Sequence, residues 1–235
     1  MIDTVVEAYG LGDADLGCGT GQLSLPLAAR VGAVLGVDPE PDMLALARQA
    51  AQDAGSANAA WLLGSDRDLP ALGRVLGTQA VGALTVAVAI HFMDRDALFA
   101  AARPLLRPAG GIAVITNGTP LWMQDAGWSR ALRGSLERLI GQPVTATCQT
   151  DEAGRRRNRE ALTAAGYRYV ESSVRYEAPL TIADMVGGVF SAMSGDGLPS
   201  PQIRSTFAAD LRADLDGQDS FTEQVHVRLQ LGLLD

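Results

Sequence analysis

Asp15-Leu16-Gly17-Cys18-Gly19-Thr20-Gly21 is an acidic residue followed by glycine at every second position, and Gln22 to Val31 reads as a helix directly after it. Glycine permits backbone angles and close approaches that a Cβ would block. A loop of this kind before a helix turns amides and the positive end of the helix dipole toward a bound group, which suits a carboxylate or a hydroxyl-rich ligand. Alone, the pattern says only nucleotide-type cofactor. The spacing says more. The dinucleotide fingerprint places its third glycine five residues after the first, whereas here Gly21 follows Gly17 by four. That spacing disfavours a nicotinamide dehydrogenase. The next acid after a hydrophobic run is Asp38, in Val34-Leu35-Gly36-Val37-Asp38-Pro39. It stands where the ribose-binding carboxylate of a βαβ unit belongs.

A chain of 235 residues, 47% hydrophobic, is enough for one large α/β domain with a buried core. No apolar run is long enough to span a membrane, and no basic-then-apolar leader opens the sequence, so a cytoplasmic protein is expected. The two cysteines, Cys18 and Cys148, make no disulfide framework, and no metal-ligand set is expected. All 19 basic residues are arginine, which excludes a Schiff-base lysine. The net charge of −8 lacks the footprint of a nucleic-acid binder. The one basic cluster, Arg155-Arg156-Arg157 with Arg159, is flanked by Asp151, Glu152 and Glu160 and reads as a solvated helix face.

The glycine loop resembles motif I of the class I S-adenosylmethionine (SAM)-dependent methyltransferases, in the form D-L-G-C-G-T-G. Two further blocks extend the likeness. Gly64-Ser65-Asp66-Arg67-Asp68-Leu69-Pro70 is similar to the family's G-D-A-x-x-L-P, with Ser65 in the place of its Asp and the acid moved to Asp66. His91-Phe92-Met93-Asp94-Arg95, with Leu106-Arg107-Pro108-Ala109-Gly110-Gly111, resembles the H-W-M-D-R … L-R-P-G-G region of a bacterial small-molecule group. The N-P-P-Y or D-P-P-Y signature of amino-directed DNA and protein methyltransferases is absent.

Strands and helices alternate from residue 14 to 116, which argues a doubly wound, Rossmann-like parallel sheet. The resemblance implies a single α/β domain with seven strands in the order 3-2-1-4-5-7-6, the last antiparallel, and cap segments at about 117–148 and 180–217. Val81 to Ile90, uncharged, reads as a central strand, and Asp94 as the cap of the next helix. A helix is expected at residues 2–9, and the fourteen residues before Asp15 suggest a clipped cofactor cover, which either a homodimer would complete or a true start further upstream would explain.

What the resemblance implies for the site is SAM as cofactor and S-adenosylhomocysteine as product. Its binding residues would be Asp15, Gly17, Cys18, Gly19, Gly21, Gln22, Asp38, Pro39, Met43, Ser65, Asp66, Val88 and Ala89. Phe92, Met93, Trp122 and Trp128 would line the mouth for a small, partly aromatic or apolar acceptor of bacterial secondary metabolism. Methyl transfer to a hydroxyl, nitrogen or carbon is the expected reaction. A fold that binds SAM without transferring methyl is the alternative, since fold does not settle function. Of the two histidines, His226 sits mid-strand as a structural residue. His91 falls at a strand end, near neutrality in pKa, and reads as the base or the substrate orienter.

Overall fold

The computed structural model describes residues 13–193 and 197–235; the helix expected at residues 2–9 lies outside them. The chain forms two compact units. The first comprises residues through Thr116, Glu152–Val174 and Val227–Asp235, and the second Asn117–Asp151 and Arg175–His226.

In the first unit the chain runs β1 (Asp13–Leu16), α1 (Ser24–Ala28), β2 (Val34–Asp38), α2 (Pro41–Asp53), β3 (Ala59–Leu63), α3 (Leu69–Leu76), β4 (Val81–Ala87), α4 (Arg95–Ala102) and β5 (Leu106–Thr116). After α5 (Gly127–Ile140), in the second unit, come α6 (Glu152–Ala164) and β6 (Arg168–Thr181). Then α7 (Ile182–Ser191), α8 (Pro201–Asp214) and β7 (Ser220–Leu233) close the chain, β6 and β7 giving residues to both units. The sheet order is β3-β2-β1-β4-β5-β7-β6. β1 is parallel to β2 on one side and to β4 on the other, β2 to β3 and β4 to β5. β7 is antiparallel to β5, from Gly111↔Leu233 to Thr116↔Arg228. The switch from leftward to rightward crossovers thus falls at β1, where open α/β sheets leave a crevice beyond their carboxyl ends.

Parallel strands covered on both faces are apolar throughout rather than alternating. β4 is buried along nearly its whole length and β5 from Ile112 onward. α4 covers them with Leu98 and the fully buried Phe99, which share one cluster with Leu84, Val86, Ile112 and Val114. Tyr167, at the end of α6, donates its hydroxyl to the Phe99 carbonyl at 3.1 Å. Burial there pushes its pKa well up.

Three local readings change. The helix after the glycine loop is five residues rather than ten. Its carboxyl end is tied off by Asn58, whose Nδ2 donates to the carbonyls of Ala28 (2.8 Å) and Val31 (3.0 Å). β4 stops at Ala87 instead of Ile90 because Val88 takes φ +55° and Ile90–Phe92 winds into a 3₁₀ turn. α3 was not foreseen, since Pro70 and Gly73 hid its pattern; the proline sits in its first turn, where the missing amide costs nothing.

The second unit has its own core. Trp122, Trp128, Leu132 and Leu136 pack with Leu180, Ile182, Met185, Val189, Phe190, Phe207 and Leu211. α7 opens on a reciprocal cap between Thr181 and Asp184, and Ser200 caps α8 on the Ile203 amide.

Candidate active site

The glycine loop joins β1 to α1, with Gly17, Gly19 and Gly21 at φ +66°, +53° and +82°. All three sit where an L side chain is strained. At Gly17 a Cβ would also stand 2.6 Å from the Ala89 Cβ, so the loop lies directly on the end of β4. The space beside Gly19 is open, with nothing within 4 Å of where its Cβ would be.

Four of the loop's amides do not face outward as expected. Gly17 and Cys18 both donate to the Val37 carbonyl (2.8 and 3.1 Å), and Gly21 donates to Cys18 (2.9 Å). The Gly19 amide donates to Asp38 Oδ2 at 2.8 Å. Asp38 Oδ1 takes the Glu40 amide at 2.9 Å. The reason is that a loop this short has to be braced, and the end of β2 is the neighbour that braces it. Asp38 is only 7% exposed, and each carboxylate oxygen keeps a second lone pair. What the site offers is therefore acceptor capacity, which suits a vicinal diol such as ribose better than it suits an anion.

Around this pair the other expected residues fall as follows. Asp15 pairs through its backbone with Gly36 and Thr85. Cys18 is buried, while Gln22, Pro39 and Met43 are exposed at the loop and at the start of α2. Ser65 does not reach outward: its hydroxyl accepts from the Arg67 amide and bonds Asp68 Oδ2, which also takes the Ser65 amide. Asp66, half-buried next to it, accepts the Leu69 amide on its backbone carbonyl, and its carboxylate makes no hydrogen bond among the described residues. Val88 is a β-branched residue in left-handed backbone, 45% exposed. Such strain is tolerated where the surroundings dictate it and concentrates at functional sites. Val88 and Ala89 close the β4 side of the crevice.

His91 lies in the 3₁₀ turn after Val88, its ring 3.9 Å from that of Phe92 and tilted by 40°. Burial, and then the charge of Arg95, hold its pKa below the usual 6.5. The imidazole is therefore neutral at pH 7. Phe92 is half exposed and Met93 half-buried. Trp122 and Trp128 are not at an open mouth: they are 5% and 8% exposed within the second unit's core. Trp122 Nε1 donates to the Ala146 carbonyl at 2.9 Å and its own carbonyl takes Arg133. Large aromatic area drives burial wherever the indole N–H finds a partner, and here it does, which corrects that expectation. His226 stays in β7.

Two contributors were missed. Trp61, on β3 opposite Gly36, fills the space that a Cβ on Gly21 or Gly36 would need (2.7 and 2.5 Å). Gly21 of the loop and Gly36 of β2 were its only sequence signal. Arg95, quoted in its motif, carried no sign that it would tune His91.

Glycines without side chains at the crevice, open space at Gly19, paired acceptors on Asp38 and an unengaged Asp66 carboxylate fit the ribose and adenine of SAM. Residues 14–110 match the sequence model of a family described as a methyltransferase domain. Uncharacterized methyltransferases of Mycobacterium tuberculosis and Mycobacterium bovis are each 32% identical over 143 residues, 61% of this chain and 53% of theirs. The chain thus spans about half the length of these curated relatives. In fold it is similar to YcgJ of Bacillus subtilis (17% identity, TM-score 0.59, 100% of this chain and 96% of that one). It is also similar to geranyl diphosphate C-methyltransferase of Streptomyces coelicolor, solved with S-adenosyl-L-homocysteine (17%, 0.51, 98% and 76%). Over residues 14–110, then, the chain is similar in sequence to methyltransferase domains, and it shares its fold with solved methyltransferases.

Proposed function

We propose that the protein transfers a methyl group from SAM to a small-molecule acceptor, a hydroxyl first, with nitrogen and carbon as the other acceptor atoms. The observation that carries the cofactor assignment is the clamp of Gly19 by Asp38 at the sheet's switch point. SAM supplies a sulfonium-activated methyl group, so the protein's work is alignment, exclusion of water and removal of a proton. Alignment alone is worth up to roughly 7–11 kcal/mol.

In this reading Asp38 holds the ribose diol, Asp66 and Met43 the adenine, and the open space at Gly19 leaves room for the backbone of the methionine half. His91, neutral through burial and Arg95, takes the acceptor's proton as the new oxygen–carbon bond forms. Phe92, half exposed beside it, gives an apolar surface for the acceptor. For a carbon or neutral nitrogen acceptor, His91 orients only.

The test is incubation of the protein with methyl-labelled SAM and a bacterial metabolite extract. Label in a discrete small product, with equimolar S-adenosylhomocysteine, is expected. SAM that binds but returns unchanged against every extract would instead favour a SAM-binding protein without transfer.

A further inference from the structure

Arg95, the first residue of α4, is anchored from behind. Its Nε donates to Asn158 Oδ1. Asn158 sits within the arginine-rich run of α6, yet it is fully buried. Its Nδ2 donates to Gln230 Oε1, on β7, at 2.9 Å. Gln230 Nε2 donates in turn to the Arg155 carbonyl at 2.9 Å and to the Tyr169 hydroxyl at 2.8 Å. That hydroxyl donates to Glu171 Oε2 at 2.9 Å. Burying two side-chain amides costs free energy unless they are bonded. Apolar residues would avoid the cost, as Ala161 and Leu162 do on α6 and Leu229 and Leu231 on β7. They would also leave Arg95 Nε without this acceptor.

The base of this chain of bonds is the sheet itself. Gln230 stands beside Val114 of β5, which pairs with Val86 of β4. Between β4 and α4 lies the turn that carries His91 and Phe92. Within it the Phe92 amide donates to the Ala89 carbonyl at 3.0 Å and the Met93 amide to the Ile90 carbonyl at 3.3 Å. At its start the Val88 amide donates to the Ile115 carbonyl at 2.8 Å. Met93 leans on the glycine loop, its Cε 3.4 Å from where a Gly17 Cβ would stand. Arg95 fixes the far end, two residues after Met93.

We propose that Asn158 and Gln230 are positioning residues, which act through Arg95 to hold the turn that sets His91 and Phe92 against the acceptor. This rests on the methyl-transfer reading for what the turn does, and not for how it is held. A displacement of about 1 Å can lose about 10²-fold in rate, so an anchor that touches neither cofactor nor acceptor still bears on turnover.

The test compares Asn158→Leu, which removes the acceptor, with Asn158→Asp, which keeps it. Arg95→Lys, at the half-buried outer end of the same bond, keeps the charge but loses the planar Nε donor, and it reads the bond even where Asn158→Leu does not fold. Amide hydrogen exchange at Phe92 and Met93 follows the turn, and kcat with SAM affinity follows the reaction. Asn158→Leu is expected to speed exchange at both amides by about tenfold, the size of one hydrogen bond to a charged group, with Val86 unchanged. It should also lower kcat by about 10–10²-fold at unchanged SAM affinity. Arg95→Lys should do the same, and the double variant should be no worse than either single one, since both break one bond. Asn158→Asp should recover most of the loss. Native exchange at Phe92 and Met93 in Asn158→Leu and Arg95→Lys overturns the proposal, as does Asn158→Asp impaired as far as Asn158→Leu. Altered exchange in a protein that transfers no methyl group upholds the anchoring and overturns the methyl-transfer reading instead.

Discussion

At the scale of single residues, Asp38 and His91 do opposite work with burial. Asp38 is enclosed yet anchored by two amides, so its acceptors are preorganised. Asp38→Ala frees the Gly19 amide and leaves the ribose hydroxyls without a charged partner, at about 1.5–3 kcal/mol of SAM affinity. Calorimetry checks this, and unchanged affinity would remove Asp38 from the site. His91 is instead driven toward its neutral form. With a hydroxyl acceptor, turnover should rise with pH through one ionisation lying below the unperturbed value of about 6.5. Arg95→Gln should move that inflection upward. His91→Ala should lower kcat by about 10²–10⁴ with SAM affinity kept, whereas His91→Asn retains turnover if the side chain merely orients. The same shift has a stability consequence. A depressed folded-state pKa means that this contribution is whole above the unfolded value of about 6.5 and is lost as pH falls through the folded one.

At the scale of elements, the contact between β2 and β3 is sensitive to a single atom. Gly36 lies opposite Trp61, and a Cβ there would stand 2.5 Å from the indole and 3.0 Å from Cys18 Sγ. Since β2 also carries Asp38 and receives the glycine loop, the indole cannot move without disturbing the brace. Gly36→Ala is expected to cost about 1–3 kcal/mol, as overpacking does, seen as a lower urea midpoint and a change in Trp61 emission. An unaltered midpoint would mean that the indole swings aside freely. Sequence reading located all the strands and most helices because apolar runs and turn residues are local signals. It missed α3 and misjudged α1 because Pro and Gly there could be read either way. Only the contacts of Asn58 with the end of α1 and the fixed φ of Val88 decided where those elements stop.

At the scale of the whole molecule, the two tryptophans belong to stability. Trp122 and Trp128 sit in a core made wholly of second-unit residues. Truncating either to alanine should cost about 3–5 kcal/mol there. Hydrogen exchange is the sensitive readout, with α7 and α8 accelerated and β4 unchanged. Unaltered exchange in α7 and α8 would show that the indoles are dispensable to that core. Among the described residues no helix is long and apolar enough to cross a membrane.

The D-L-G-C-G-T-G loop, the acid of β2 and the uncharged run of β4 were enough to place this protein among α/β cofactor-binding folds. Glycine, charge and periodicity act over a few residues and can be read without knowing what lies beside them. Tertiary structure decided the rest. Whether the loop amides face a ligand or the end of β2, and whether an indole lines a mouth or fills a core, both depend on groups far apart in sequence. Asn158 and Gln230 are 72 residues apart, and no local pattern announces that they meet behind Arg95. Burial and pairing are properties of neighbours in space, and only the folded chain supplies them.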